Sequence, residues 1–272
     1  MRYSLLSSAL CAVLIVVSGC APKPISTISS SFRDSVLLVE QYEQGPPKIA
    51  IGLTDESPRT VEVLNEQASQ GNPLAHRLLG NAYWGGVNAS VNGVNPFPQN
   101  LESALWYYER GAQAGDVPSQ YYAGVCYELG QGVEVDSKRA LSYYQQAAAS
   151  GYPNAHADIG VFALMGTAME RDPVLAAKHL KIAADAGIHP AQYNLALMLE
   201  TGDGVDPNPK AAADWFLIAA NGGHTRAMVG LANLLIEGKG VAKDVAAARQ
   251  WLELAADEGE EAAQARLDQL AG

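Results

Sequence analysis

Ser119-Gln-Tyr-Tyr-Ala-Gly124-Val-Cys126-Tyr-Glu128-Leu-Gly130-Gln-Gly132-Val-Glu-Val-Asp136-Ser-Lys-Arg-Ala140-Leu-Ser-Tyr143 decides the fold, because its landmarks return at a fixed interval along the chain. Glycine recurs at Gly115, Gly151, Gly187, Gly223 and Gly259, each 36 residues after the last. Ala112, Ala148, Ala184, Ala220 and Ala256 keep step with it, as do the bulky residues Tyr107, Tyr143, His179, Trp215 and Trp251. A second series, Gly130, Gly166, Gly202 and Gly238, divides each unit in two.

Each half reads as a helix. In the first half, Ala191, Leu195, Met198 and Leu199 recur at steps of three and four, and Gly202 stops the run. The second half opens at Asn100, Asp136, Asp172, Asn208 and Asp244, whose side-chain oxygens can accept from the free amides of the helix that follows. Pro173 and Pro209 come next in two units, at the one helical position where a missing N–H costs nothing. A helix pair of this size cannot bury its apolar stripe alone, so neighbouring pairs must stack. The expected architecture is an all-α, α/α superhelical solenoid, with Gly80, Gly124, Gly160, Ala196 and Ala232 marking close helix crossings.

The recurring pattern Ala-x-x-x-Leu-Gly-x-x-Tyr-x-x-Gly-x-Gly-Val-x-x-Asp-x-x-x-Ala-x-x-Tyr/Trp, which the opening stretch matches, resembles the Sel1-like repeat, a tetratricopeptide-related module. The resemblance runs from Ala75 to about Ala263 and covers about five helix pairs. It implies a bacterial lipoprotein of the kind found in polysaccharide secretion and envelope assembly. Some relatives staple each repeat with a cysteine pair, which is absent here. Cys126 shares its slot with Phe162, Met198 and Leu234 and is expected in the core.

Met1-Arg2, an apolar run of 13 residues from Leu5 to Val17, and then Ser18-Gly19-Cys20 read as a secretory leader rather than a membrane span. Val17-Ser-Gly-Cys20 resembles a lipobox, which implies cleavage after residue 19 and acylation of Cys20. The expected location is the bacterial cell envelope, at the outer membrane facing the periplasm, with the inner membrane left open. Residues 20–56 form a Ser/Pro-rich tether in which Phe32 to Tyr42 can make a short helix, packed on the first repeat or free to dock elsewhere. The solenoid then occupies 57–272. Ser57-Pro58 opens a capping helix and Glu260 to Leu270 closes the chain with another. The first full unit is eight residues longer than the rest. Its excess, Val87 to Pro98, is either a binding loop or a drifted loop with Phe97 folded onto its own repeat.

The five histidines are scattered, and His76 and His156 share a repeat position, which points to a structural slot. No metal ligand set, nucleophile elbow or calcium loop is legible, although Asp203, Asp206 and Asn208 faintly resemble the last. No cofactor, no metal and no catalytic centre are expected. Loss of Arg2 with the leader takes the net charge from −11 to −12, and such acidity excludes nucleic acid and an anionic headgroup as partners. The chain is expected to be monomeric in isolation.

Turning the first helix of each repeat by 100° per residue puts Arg77, Asn81, Trp84, Tyr121, Glu128, Glu200 and Asn233 opposite its apolar face. In related solenoids that helix lines the concave side. This set of rings, polar groups and charges suits a protein or peptide partner, with Tyr121 equally able to pack between repeats. Two function classes follow: a lipid-anchored interaction scaffold, or a carbohydrate- or peptidoglycan-binding protein with hydrolase activity.

Overall fold

The computed structural model describes residues 57–86 and 97–271. The leader, Cys20, the tether and most of the 87–98 insertion lie outside the described residues. Twelve helices and no strand occur among those described: α1 (Ser57–Ser69), α2 (Pro73–Gly85), α3 (Leu101–Gln113), α4 (Val117–Leu129), α5 (Ser137–Ala149), α6 (Pro153–Met165), α7 (Pro173–Asp185), α8 (His189–Thr201), α9 (Pro209–Asn221), α10 (Thr225–Glu237), α11 (Val245–Asp257) and α12 (Glu261–Ala271). None is long and apolar enough to cross a membrane. Two compact units divide the chain, Met1–Asp136 with α1 to α4 and Ser137–Gly272 with α5 to α12. Within each unit, every helix packs on the next in chain order.

Capping explains the regular boundaries. Asn100, Asp172, Asn208 and Asp244 each accept, through a side-chain oxygen, from the backbone N–H three residues on, at 2.9–3.0 Å. Asp116 does the same for α4, and Asn72 Oδ1 accepts from the Leu74 and Ala75 N–H groups at the start of α2. At the other end of α5, Gly151 is left-handed at φ +79°, and Tyr152 N–H reaches back to the Ala147 carbonyl at 3.1 Å.

The mid-repeat turn closes in one way throughout. The cap residue's own N–H returns to the preceding helix: Asp136 to Tyr127, Asp172 to Ala163, Asn208 to Leu199 and Asp244 to Leu235. Asn100 makes the same bond to Tyr83 at 2.9 Å, so this closure of the turn is kept across the long insertion. Phe97 returns to the core, 1% exposed and edge-on to Tyr83 at 5.3 Å. Of the two readings of this loop, folding back holds for Phe97.

The core runs through a slot one residue beyond the expected bulky series. Tyr108, Tyr144, Leu180, Phe216 and Leu252 are fully buried, whereas Tyr107, Tyr143, His179, Trp215 and Trp251 are half-buried. The buried stripe of the second helix is set by Ala176, Leu180 and Ala183 and their equivalents, at steps of four and three, which leaves the neighbouring slot 100° away on its flank. Gly80 faces the Tyr108 ring, where a Cβ would stand 2.5 Å from Cε1, so a ring rather than a backbone fills the expected crossing. Gly160 is closer to expectation, with Leu180 Cγ at 2.7 Å and its backbone N at 3.2 Å. Cys126 is buried and unbridged, and burial, with Glu109 nearby, pushes its thiol up to about 12.

Candidate functional site

Helices α2 and α4, both packed on α3 in the first unit, carry five of the seven residues placed on the candidate face. Asn81 is not on a surface at all. It is 1% exposed, and its Oδ1 accepts from Tyr108 OH at 2.7 Å. Arg77 is also largely covered: its Nε stands 3.1 Å from Asp116 Oδ2, with side chains 19% and 12% exposed. Asp116 in turn accepts from the Ser119 N–H and hydroxyl. Arg77 therefore anchors the cap of α4, and its role is in the packing of the unit.

A helical wheel allows for one buried side, whereas these first helices bury residues nearly all round: α4 buries an unbroken run from Tyr122 to Tyr127, and α6 buries Ala155, Ala157, Ile159, Gly160, Phe162 and Ala163. A helix apolar nearly all round has little free face.

Three residues of the set keep open surface in the first unit. Trp84 is half-buried and tilted against Tyr108 at 6.4 Å, Tyr121 is half-buried and edge-on to Tyr122 at 5.6 Å, and Glu128 is half-buried at the penultimate position of α4. In the second unit the chain itself engages both candidates. Glu200 Oε1 faces Lys239 Nζ at 3.5 Å, and Asn233 accepts from Arg266 Nε of the closing helix at 3.1 Å. The faint calcium loop is also accounted for, since Asp203 pairs with Arg171 and Asn208 caps α9.

Two features escaped the sequence reading. His224 caps α10 by accepting the Ala227 N–H on Nδ1 at 3.2 Å, with its ring stacked on Tyr193 at 4.8 Å. His156 and His179, 23 residues apart, bring their Nδ1 atoms to 2.9 Å. The 36-residue register contained the signal for the second, since positions 156 and 179 face each other in the pattern that also pairs His76 with Tyr107. All four of these histidines are harder to protonate than a free imidazole, chiefly through burial. Among the described residues no three His, Cys, Asp or Glu side chains gather as a metal site.

The Sel1 repeat model matches residues 73–116, 117–152, 153–188, 189–224 and 225–260. Among solved structures the chain is similar to c5321, a protective antigen present in uropathogenic Escherichia coli strains displaying an SLR fold, at 28% identity and a TM-score of 0.71 over 81% of this chain and 46% of that one. It is also similar to a Sel1 repeat protein from Oxalobacter formigenes, at 29% identity and a TM-score of 0.66 over 81% of this chain and 62% of that one. The chain thus spans less than two thirds of the length of either relative. Among curated proteins none matches it. Five consecutive matched repeats fill well over half of the sequence, and the chain belongs to the Sel1 repeat family.

Proposed function

We propose that this Sel1 repeat protein is a non-enzymatic, lipid-anchored scaffold that holds protein partners in the bacterial envelope through the first-helix face of its N-terminal unit. Sel1 repeats typically mediate protein–protein interactions. The observation that carries the choice of surface is the pair of half-exposed rings: Trp84 on α2 and Tyr121 on α4 are the two aromatic residues of the candidate set, and Glu128 is half-exposed on the same helix as Tyr121. Tryptophan and tyrosine dominate interface energies because they bury large rigid area at low entropic cost. Arg77 and Asn81 support that face from beneath.

The Val17-Ser-Gly-Cys20 stretch supports acylation of Cys20, most simply at the outer membrane facing the periplasm, and the likeness to Sel1-like lipoproteins supports a complex of polysaccharide secretion or envelope assembly. Photo-crosslinking residues at Trp84 and Tyr121 should capture one common partner in cells, and Glu128→Lys should reduce that capture with melting unchanged. Capture that survives Trp84→Ala, Tyr121→Ala and Glu128→Lys together, but is lost on deletion of 91–96, moves the site to the insertion. Turnover of a glycan or peptidoglycan by the purified chain would overturn the non-enzymatic reading, and Cys20→Ser that stays salt-resistant on membranes would overturn the anchor.

A further inference from the structure

We infer that His156 of α6 and His179 of α7 form a two-imidazole site for a borderline divalent transition metal, with copper(II) the best fit. Imidazole nitrogens suit copper, nickel and zinc, and at a given nitrogen site affinity peaks at copper(II). Two nitrogens bonded to one ion at about 2.0–2.1 Å and at right angles stand about 2.9 Å apart. The two Nδ1 atoms are 2.9 Å apart, with ring centroids at 5.0 Å and planes inclined by 34°. Both side chains are half-buried, which leaves solvent access for water to complete a square coordination.

In the metal-free neutral pair one Nδ1 carries a proton and donates it to the lone pair of the other. On binding, the ion takes both Nδ1 lone pairs, the proton between them moves through solvent to Nε2 of the ring that held it, and no proton is lost overall from the neutral pair. Lys178 opposes any cation beside His179, proton or metal, and makes the affinity modest.

Equivalent slots of the same chain supply the test variants. Position 156 corresponds to Gln120 and Gln192, and position 179 to Tyr107 and Tyr143, so His156→Gln and His179→Tyr introduce residues this fold already accepts. The full chain, titrated with copper(II) alone, should bind one ion per chain and give a paramagnetic resonance spectrum with coupling to two nitrogens. Each variant should lose at least tenfold in affinity, while His189→Thr, which borrows the residue at 225, should bind as wild type. Absence of a one-to-one site in the wild type overturns the inference. So does retention of full affinity in both variants, since the ion then sits elsewhere. Should a variant melt early, the nitrogen coupling in the wild-type spectrum decides alone, one nitrogen or none counting against the pair.

Discussion

The two units solve the same packing problem with different material. Between Tyr83 and Tyr127 the first unit carries nine aromatic side chains, and its most buried ring, Tyr108, meets a buried asparagine. The second unit spreads eight aromatic side chains over Ser137–Gly272 and fills its core with alanine, as in the cluster of Ala212, Ala213, Ala219, Ala220, Ala227 and Ala232 around Phe216. One backbone pattern serves both because helices pack chiefly on their neighbours in the chain, so composition can drift along the chain without breaking register. The difference also separates roles. Rings with open edges are concentrated where polar groups are buried, and the alanine-rich unit carries the ion pairs Arg171–Asp203, Lys181–Asp185, Lys210–Asp214 and Lys239–Glu200.

The largest expected effect lies in the second unit. Phe216 is fully buried against Gly230, whose Cβ would stand 2.8 Å from the ring, while Trp215 is half-buried on the flank. Phe216→Ala should cost ~3–5 kcal/mol and Trp215→Ala clearly less, measured as urea midpoints at constant slope. Equal losses would mean that the flank carries as much of the core as the slot.

In the first unit the vulnerable point is polar. Tyr108→Phe removes the donor to Asn81 Oδ1, and Asn81 Nδ2 already has no partner, so a buried amide is left without any hydrogen bond. The expected loss is ~1–3 kcal/mol. Adding Asn81→Leu, the residue at the matching position 197, should recover most of it, because an apolar pair of similar shape carries no desolvation penalty. A double variant no better than Tyr108→Phe alone would place the cost in ring packing instead.

Much of this was legible in the sequence for a physical reason. Caps and left-handed glycines act locally, so Asn100, Asp172, Asn208 and Asp244, and the turns at Gly151 and Gly187, could be read from spacing alone. What a helix faces is not local. A helical wheel cannot distinguish a surface from a second buried side, which is why Asn81 and Arg77 fall opposite the apolar face on the wheel and are covered in the fold. His156 lies in a slot that other repeats fill with His, Gln or Met, and His179 in one that they fill with Tyr or Trp, and only the paired register reveals that the two meet.

Acid should separate the units. His156, His179 and His224 in the second unit, and only His76 in the first, are held below the ordinary histidine range in the folded chain. Unfolded, each takes a proton near pH 6.5. The folded state therefore keeps its full stability above that pH and loses it as the pH falls toward the depressed folded values, because the unfolded chain binds the extra protons. His224 adds a direct loss, since a protonated Nδ1 can no longer accept from Ala227. Urea midpoints between pH 7.5 and 5 should fall, and His156→Gln with His179→Tyr should flatten the fall. An unchanged slope in that double variant would remove the pair from the pH response.

The smallest effect tests the regularity of the second unit itself. Gly132, Gly204 and Gly240 occupy one slot of the mid-repeat turn at φ +75° to +77°, and their equivalent in the third repeat is Ala168 at φ +60°. At the three glycines an added Cβ would run into the backbone at the start of an earlier helix, Leu101, Pro173 and Pro209 respectively, 31 residues back. By that register the counterpart of Ala168 is Ser137, the first residue of α5. A left-handed alanine costs ~1–2 kcal/mol, and glycine gives back roughly 0.5–1 kcal/mol of that through the entropy of the unfolded chain. Ala168→Gly should therefore stabilise by about 0.5–1 kcal/mol, and Gly204→Ala should destabilise by more, since it adds a backbone clash to the strain. A lower urea midpoint for Ala168→Gly would mean that the methyl group makes packing contacts worth more than the strain, and that the third repeat has adapted its turn to hold it.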